Sequence, residues 1–366
     1  MKLAIVCRPL SFLGGVETAT AGLMAELSRR GHAIDLLTTR EQPEVPGARV
    51  RRLPAVAQPS VLRLLSFALA ARRASADGGY DIVQSHERGL CQDIYRAGEG
   101  AHRAYLAAMG RRWARVNPHH QLVSALEKRI FSLKSARHIV AISRGGKGEI
   151  QRLYATPPER VSVVYNGVDL GRFHPDNRPR FRQAMRDALG LGREAWVILF
   201  VGSGFERKGL GPLLEALSRL EDPRCRLVVA GRGDPRPYRE RARRLGAADR
   251  VSWVGPRRDV EHLYAAADVV ALPALYEPFG NVHLEALAAG VPVLTSARAG
   301  GSEVITSGWN GWVVRAPAAE AVAEGLLALR NTDARSLAEA ARESAEPFTY
   351  AAQGDGFEAL YRQLKR

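Results

Sequence analysis

The sequence has few cysteines, and their spacing does not suggest a shared function. Cys7, Cys91 and Cys225 are the three cysteines among 366 residues. They lie too far apart for a zinc-binding pair or a disulfide framework. We therefore expect a reducing compartment, and the strand-like start after Met1 gives no sign of an export signal. The expected location is the cytoplasm, with peripheral attachment to the inner face of the cytoplasmic membrane as an alternative.

Long apolar runs are also missing. No stretch approaches the ~20 apolar residues that are needed to span a bilayer. At the same time 46% of the residues are apolar and 25% are charged, a balance that excludes a disordered chain or a fibre. A chain of 366 residues is most simply divided into two domains of similar size.

Lysine is scarce, since only six of the 53 basic residues are lysine. Arginine supplies the rest of a net charge of +15. Such a bias is weak evidence for a polyanionic partner by itself. Its placement says more, because residues 101–150 carry ten basic side chains and only two acidic ones.

Short apolar runs alternate with helical stretches along the whole chain. They lie at 3–7, 33–38, 80–86, 93–98, 138–143 and 161–168, and then at 196–202, 226–231, 251–255, 268–273, 291–296 and 311–314. Parallel strands with crossover helices form a doubly wound α/β sheet. We predict two facing Rossmann-like domains, an N-terminal one over 1–170, joined by a C-terminal helix at 351–366, and a C-terminal one over 171–350. Ligands of such folds bind at the carboxyl ends of the strands, so the expected site is a cleft between the domains.

Two glycine-bearing loops follow the first strand of each predicted domain. Gly14 and Gly15 open a helix whose N–H groups can face an anion, although such a pair taken alone is more often a plain turn. The G-x-G-x-x-G fingerprint is absent, which argues against a nicotinamide cofactor.

The second loop is GSGFERKGL (202–210). Gly202 and Ser203 permit a close backbone approach, and Arg207 and Lys208 are suited to hold a diphosphate. The alternative is a charged helix start on the surface.

The segment from Glu277 to Glu285 carries two carboxylates eight residues apart. On a continuous helix they would be ~12 Å apart, too far for the paired carboxylates of a glycosidase. We interpret them as contacts to the two ends of one extended ligand. The amides of Gly280, Asn281 and Val282 between them are candidate donors to hydroxyls or phosphate.

Taken together with AAGVPVLTS (288–296) and AGGSEVI (299–305), these segments resemble the retaining glycosyltransferases of family 4, which have the GT-B fold. The resemblance covers nearly the whole chain. Through RAGEGAHR (96–103) and NGVDLGRF (166–173), it is greatest to the branch that glucosylates heptose in the lipopolysaccharide core.

The resemblance implies a role for each candidate residue. Glu277 would contact the donor sugar and Glu285 the ribose, while Arg207 and Lys208 would contact the diphosphate. Arg172 would be a further phosphate contact. The implied donor is a nucleoside diphosphate sugar, with UDP-glucose expected, and the acceptor is a glycolipid or oligosaccharide. No metal and no further cofactor is implied.

One position departs from the family pattern. Relatives carry an aspartate or histidine near the donor sugar, and this sequence has Glu99, which we include among the catalytic candidates. His86 and His102 lie nearby in sequence and are more simply explained as structural or exposed residues. The implied mechanism is attack on the face from which the diphosphate departs, with electrostatic stabilisation as its main contribution.

Four other interpretations have to be considered. A GT-B epimerase shares the architecture, and a phosphorylase would need a lysine that binds pyridoxal phosphate. The pI of 10.3 would suit a nucleic-acid-binding protein, but no motif for nucleic acid is present, and we predict no such partner. Residues 103–137 mix cations with apolar residues, which suits either an anionic membrane surface or a helix packed on its own domain.

Overall fold

The structure is a computed structural model and describes residues 1–10, 15–39, 45–111 and 116–365. The described residues form two compact units. The first contains the N-terminal strand, residues 16–167 and residues 350–365, and the second contains residues 168–349. The chain therefore leaves the first unit after Gly167 and returns to it at Tyr350.

The first unit is built on a parallel seven-stranded sheet. Its strands are β1 (Lys2–Val6), β2 (Ala33–Thr38), β3 (Ala48–Arg52), β4 (Ile82–Ser85), β5 (Gln92–Ala97), β6 (Ala136–Ala141) and β7 (Val161–Val163), in the spatial order β3-β2-β1-β4-β5-β6-β7. Its helices are α1 (Gly15–Arg29), α2 (Ser60–Asp77), α3 (His102–Ala108), α4 (Pro118–Phe131), α5 (Arg144–Tyr154) and the C-terminal α13 (Tyr350–Leu364). The strand order reverses at β1, which pairs in parallel with both β2 and β4.

The second unit repeats this plan with six parallel strands. They are β8 (Trp196–Val201), β9 (Cys225–Ala230), β10 (Val251–Gly255), β11 (Val269–Leu272), β12 (Val293–Ser296) and β13 (Gly311–Val314), in the order β10-β9-β8-β11-β12-β13. The helices are α6 (Asn177–Ala188), α7 (Leu210–Arg219), α8 (Arg236–Arg244), α9 (Val260–Ala266), α10 (Val282–Ala288), α11 (Ala319–Arg330) and α12 (Ala334–Ala345). The order reverses at β8, which lies between β9 and β11.

The apolar runs in the sequence explain why these strands are central. Ile198 and Phe200 of β8 are fully buried and pack in one cluster with Leu213 and Leu217 of α7. Strands that are covered on both faces have continuous apolar sequences. The predicted α/β fold with two Rossmann-like units is confirmed.

Two strand predictions need correction. β3 was not predicted, because its sequence ARVRR is polar and lies half-exposed at the sheet edge. The run at 161–168 was predicted as one strand, but β7 ends at Val163. Beyond it Asn166 accepts a hydrogen bond from buried Arg96 (2.6 Å) instead of continuing the ladder.

Candidate active site

Glu277 lies in a buried loop after β11, beside the loop that follows β12. A parallel backbone bridge joins it to Ala299, and the Gly300 amide donates to the Glu277 carbonyl (2.8 Å). The Gly301 amide donates in the same way to Phe279 (2.8 Å). Because β11 and β12 are neighbouring parallel strands, these hydrogen bonds fix Glu277 at the carboxyl edge of the sheet.

The segment from Glu277 to Glu285 is only partly helical. α10 spans only Val282–Ala288, so it includes Glu285 but not Glu277. The ~12 Å that a helical rise would give therefore does not apply. The change of backbone occurs at Gly280, whose φ of +84° is one that glycine adopts readily.

Arg207 and Lys208 both contact Glu277. Lys208 Nζ lies 2.9 Å and Arg207 Nη1 2.8 Å from the same oxygen, Oε2. Arg207 Nη1 also donates to the Tyr276 carbonyl (3.0 Å). Burial alone would raise the pKa of Glu277, but the charges and hydrogen bonds of Lys208 and Arg207 outweigh it and lower the pKa to about 2. The carboxylate is therefore ionised at neutral pH.

Gly202 provides the space in which Lys208 lies. A Cβ at Gly202 would be 2.5 Å from Lys208 Cδ and 2.9 Å from its Nζ. Lys208 is 7% exposed, so its ammonium group is held in the loop that follows β8. Ser203 is exposed beside it.

Glu285 and Arg172 have different partners. The Tyr264 hydroxyl donates to Glu285 Oε2 (2.7 Å). Burial raises the pKa of Glu285, although the Tyr264 hydrogen bond and the positive charge of Arg172 oppose the rise. Arg172 forms an ion pair with Glu261 (2.8 Å) and donates to the Arg258 carbonyl (2.6 Å).

Sequence reasoning missed two residues of this unit that contact the predicted set. Tyr264 is buried and lies 21 positions before Glu285, so no local pattern links them. His283 is fully buried, and its Nδ1 is hydrogen-bonded to the carbonyl oxygen of Gly280, the residue before Asn281. The signal for His283 in the sequence is a lone histidine among the apolar residues of the helix that carries Glu285.

In the first unit, Glu99 follows β5 and is held by two arginines. It contacts Arg8 Nη2 (2.5 Å) and Arg88 Nη1 (2.8 Å). Burial opposes its ionisation, but the charges of Arg8 and Arg88 prevail and lower the pKa of Glu99 to about 2. Arg8 also pairs with Glu87 (2.6 Å). The two arginines were not among the predicted site residues.

The glycine and histidine candidates of the first unit differ in their surroundings. Gly15 is the first residue of α1, and Gly14 lies outside the described residues. His86 is buried between Thr20 and Gln84, and burial lowers its pKa well below the usual range. His102 Nε2 lies 3.0 Å from His120 Nδ1, and burial together with the charge of Arg88 lowers the pKa of His102 to about 4.

The described part of the chain contains neither a metal-binding cluster nor a helix that could span a membrane. Within residues 1–10, 15–39, 45–111 and 116–365, no group of three or more His, Cys, Asp or Glu side chains could hold a metal ion. Over the same ranges no helix combines the length and apolarity that crossing a membrane requires.

Two family models match the chain. Residues 13–172 match Glycosyltransferase Family 4, and residues 181–346 match Glycosyl transferases group 1. The uncharacterized glycosyltransferase MJ1607 of Methanocaldococcus jannaschii is 30% identical over 339 residues, which cover 86% of this chain and 85% of that protein. The D-inositol 3-phosphate glycosyltransferase of Xylanimonas cellulosilytica is 32% identical over 92% of this chain and 88% of its own.

The lipopolysaccharide glucosyltransferase WaaG of Escherichia coli is 26% identical over 83% of this chain and 82% of its own. The crystal structure of WaaG superposes with a TM-score of 0.85 at 25% identity, covering 98% of this chain and 99% of that one. Anabaena Alr3699/HepE in complex with UDP-glucose has the same fold, with a TM-score of 0.76 at 19% identity over 99% of this chain and all of that one. The sequence matches, the two doubly wound units and these structures together identify the chain as a GT-B glycosyltransferase of family 4, in the group 1 glycosyl transferases.

Proposed function

We propose that the protein is a retaining hexosyltransferase that transfers glucose from UDP-glucose to a cell-envelope glycolipid or oligosaccharide, such as the lipopolysaccharide core. The observation that carries the proposal is the pair of cations on one carboxylate oxygen, Arg207 and Lys208 on Glu277. Two cations and one carboxylate leave a positive charge at the carboxyl edge of a Rossmann-like sheet. A nucleoside diphosphate brings the complementary charge.

The choice of donor and acceptor is supported by relatives. HepE was crystallised with UDP-glucose, and WaaG is a lipopolysaccharide glucosyltransferase. The inositol phosphate glycosyltransferases among the relatives carry a different acceptor in their name. The acceptor is therefore the part of the proposal that needs the broadest screen.

In the proposed mechanism the cations act on the leaving group. As the bond between the sugar and the diphosphate breaks, negative charge grows on the phosphate oxygens, and Arg207 and Lys208 are already in place to stabilise it. The acceptor oxygen attacks the face from which the diphosphate departs and passes its proton to the leaving phosphate. Because two fixed cations serve the leaving group, the reaction needs no divalent metal, and turnover should survive EDTA.

Each glutamate then has one binding role. Glu277 accepts a hydrogen bond from a hydroxyl of the donor sugar. Glu285, oriented by Tyr264, accepts one from a ribose hydroxyl. Glu99 stays ionised between Arg8 and Arg88 and accepts a sugar hydroxyl. Gly14, Gly15, Arg172, Gly202, Ser203, Gly280, Asn281 and Val282 complete the proposed donor-binding set.

The proposal is tested with purified protein, a panel of nucleoside diphosphate sugars and extracted lipopolysaccharide core acceptors. We expect Lys208→Ala and Glu277→Ala to lower kcat/KM about a hundredfold or more. Arg236→Ala and Glu320→Gln, which change exposed side chains of the same unit, should keep the parental rate. Parental rates in the first two variants would remove Lys208 and Glu277 from the site.

Product identity separates this function from its competitors. A transferase releases free nucleotide with a glycosylated acceptor, whereas an epimerase returns an isomerised donor. Salt-sensitive binding to DNA without any binding of sugar nucleotides would favour a nucleic-acid-binding protein instead.

We also propose that the basic surface of residues 103–137 contacts anionic lipid near the acceptor. Lys128, Arg129 and Lys134 are exposed, but Ile130 and Phe131 are buried in the core of the unit. Those two apolar residues therefore pack on their own domain, and the proposal rests on the exposed charges. Equal co-sedimentation with neutral and anionic vesicles would refute it.

A further inference from the structure

His283 is a buried histidine in the segment between the two glutamates, and the mechanism above gives it no role. It is 0% exposed and lies on α10 between the loops after β11 and β12. A Cβ at Gly280 would lie 2.8 Å from its Nδ1, and a Cβ at Gly301 only 2.5 Å from it. Two glycines thus leave the space that the imidazole ring fills.

The two ring nitrogens have partners that determine the tautomer. Nδ1 lies 2.7 Å from the Gly280 carbonyl oxygen, and Nε2 lies 2.7 Å from Thr295 Oγ1. A carbonyl can only accept, so Nδ1 must carry the hydrogen, and in the neutral ring Nε2 must accept. The Thr295 hydroxyl has a single hydrogen and two acceptors within reach, Nε2 at 2.7 Å and the Leu272 carbonyl oxygen at 3.2 Å, so in this tautomer it donates to the nearer Nε2. Burial lowers the pKa of His283 to about 4, so the ring is neutral at physiological pH.

These bonds connect a strand of the sheet to one peptide of the loop. Thr295 belongs to β12, and the Gly280 carbonyl accepts both the ring Nδ1–H and the backbone amide of His283 (2.9 Å). A trans peptide is planar, and its C=O and N–H point in opposite directions. By holding the Gly280 carbonyl, the ring therefore sets the direction of the Asn281 N–H.

We propose that His283 is a positioning residue that, through its Nδ1–H bond to the Gly280 carbonyl, aims the Asn281 amide at the diphosphate of the donor. The Gly280 carbonyl selects the Nδ1–H tautomer, and Thr295 connects the other side of the ring to β12. The inference rests on the proposed function for the identity of the ligand. The tautomer and the direction of the peptide follow from the contacts of His283 alone.

Three substitutions separate the two ring bonds. In His283→Asn the amide nitrogen can occupy the place of Nδ1 and keep the donor to Gly280, whereas His283→Gln reaches towards Thr295 and His283→Leu keeps neither bond. We expect kcat to fall about tenfold to a hundredfold in the Gln and Leu variants and to recover to within a few fold of the parent in the Asn variant. The Kd for UDP should follow the same order.

Thr295→Val is the matched control for lost stability. It removes the hydroxyl that contacts Nε2 (2.7 Å) and the Leu272 carbonyl oxygen (3.2 Å) but leaves the bond between Nδ1 and Gly280. We expect it to lower the unfolding midpoint as much as His283→Gln while keeping most of the turnover. Equal losses of turnover in these two variants, or no recovery in the Asn variant when it is folded, would overturn the proposal.

A second measurement uses the unaltered protein and needs no activity. The 15N chemical shifts of the His283 ring report which nitrogen carries the hydrogen, and we expect Nδ1–H between pH 5 and pH 9. The Asn281 amide resonance should shift on titration with UDP in the parent and not in His283→Leu. An Nε2–H tautomer would refute the positioning role, even if transfer activity is found. The Nδ1–H tautomer without any response to UDP would instead refute the choice of ligand.

Discussion

At the residue scale, the main feature is that one carboxylate oxygen of Glu277 serves as counter-ion to two cations. Lys208 is almost fully buried, and an unpaired ammonium group at that depth would be strongly destabilising. Glu277 thus balances the charge of the two cations and holds them in place without a ligand. A diphosphate can take over part of that role, which lets Glu277 turn to the sugar in the proposed complex.

The pH dependence of stability should report this arrangement. The pKa of Glu277 is lowered from 4.5 to about 2, so its contribution to the free energy of unfolding is complete above about pH 4.5 and is lost as the pH falls towards 2. We expect Glu277→Gln to be less stable at pH 7 and to lose less stability on acidification. Urea unfolding followed by tryptophan fluorescence from pH 2.5 to pH 7 measures both effects.

The control for this experiment is Glu320→Gln, because Glu320 pairs with Arg219 at the surface. Surface ion pairs contribute little, so this variant should keep the parental acid dependence. An acid dependence in Glu277→Gln as steep as that of the parent would mean that Glu277 is not held ionised by its two partners.

The sequence singles out the charged residues of the candidate site but does not indicate which of them contact each other. A lysine in a chain that prefers arginine, in a glycine-rich loop, indicated Lys208, and spacing indicated Glu277 and Glu285. Nothing in the sequence indicates that Lys208 and Glu277, 69 positions apart in the printed sequence, share an ion pair. That contact depends on the adjacency of β8 and β11, which is a property of the sheet.

At the element scale, a glycine determines how α7 begins after the loop at 202–209. Gly209 precedes the helix with a φ of +81°, and a Cβ there would lie 1.8 Å from the Pro273 carbonyl oxygen. That contact brings the start of α7 against the chain that follows β11. The loop with Arg207 and Lys208 is therefore fixed at both ends, by β8 and by this close approach.

Gly209→Ala should be far more damaging than Gly308→Ala. Both glycines have nearly the same φ, +81° and +82°, but nothing lies within 4 Å of a Cβ at Gly308. The Gly308 variant should cost only the ~1 to 2 kcal/mol of a left-handed alanine, whereas Gly209→Ala adds a backbone clash and should lose several kcal/mol. Urea unfolding of both variants measures the difference, and equal losses would mean that the contact with Pro273 relaxes without cost.

The strands that are buried inside the sheets could be predicted from the sequence. β8 and β11 are continuous apolar runs, and β9 is apolar except for Arg226. All three lie inside the sheet, within a residue or two of the predicted ends. β3 is polar because it is an edge strand, and no periodic signal distinguishes it from a loop. In the segment from Glu277 to Glu285, the spacing of the two glutamates does not indicate how many residues are helical, because Gly280 changes the backbone direction.

At the scale of the whole molecule, the last helix belongs to the first unit although 182 residues of the second unit precede it. Phe357 and Tyr361 of α13 are fully buried in the core with Leu3, Leu23 and Leu36. The Tyr361 hydroxyl donates to Gln84 Oε1 (2.6 Å). At the surface of the same helix, Glu358 pairs with Arg30 (3.1 Å). The first unit therefore completes its core only after the second unit has been made.

Removing one of these side chains should weaken the first unit and leave the second unit intact. Phe357→Ala or Tyr361→Ala should cost about 3 to 5 kcal/mol, while Arg362→Ala, at an exposed position of the same helix, should cost under 1 kcal/mol.

Four of the five tryptophans, Trp196, Trp253, Trp309 and Trp312, lie in the second unit. Tryptophan fluorescence therefore follows mainly that unit, whereas far-UV circular dichroism follows both.

If the two units unfold independently, Phe357→Ala should shift only the part of the dichroism transition that fluorescence does not follow. The two probes would then separate in the variant more than in the parent. A fluorescence midpoint that falls as far as the dichroism midpoint would show that the units unfold as one cooperative body. In that case α13 stabilises the second unit as well, and substitutions far from Glu277 would change the stability of the unit that carries it.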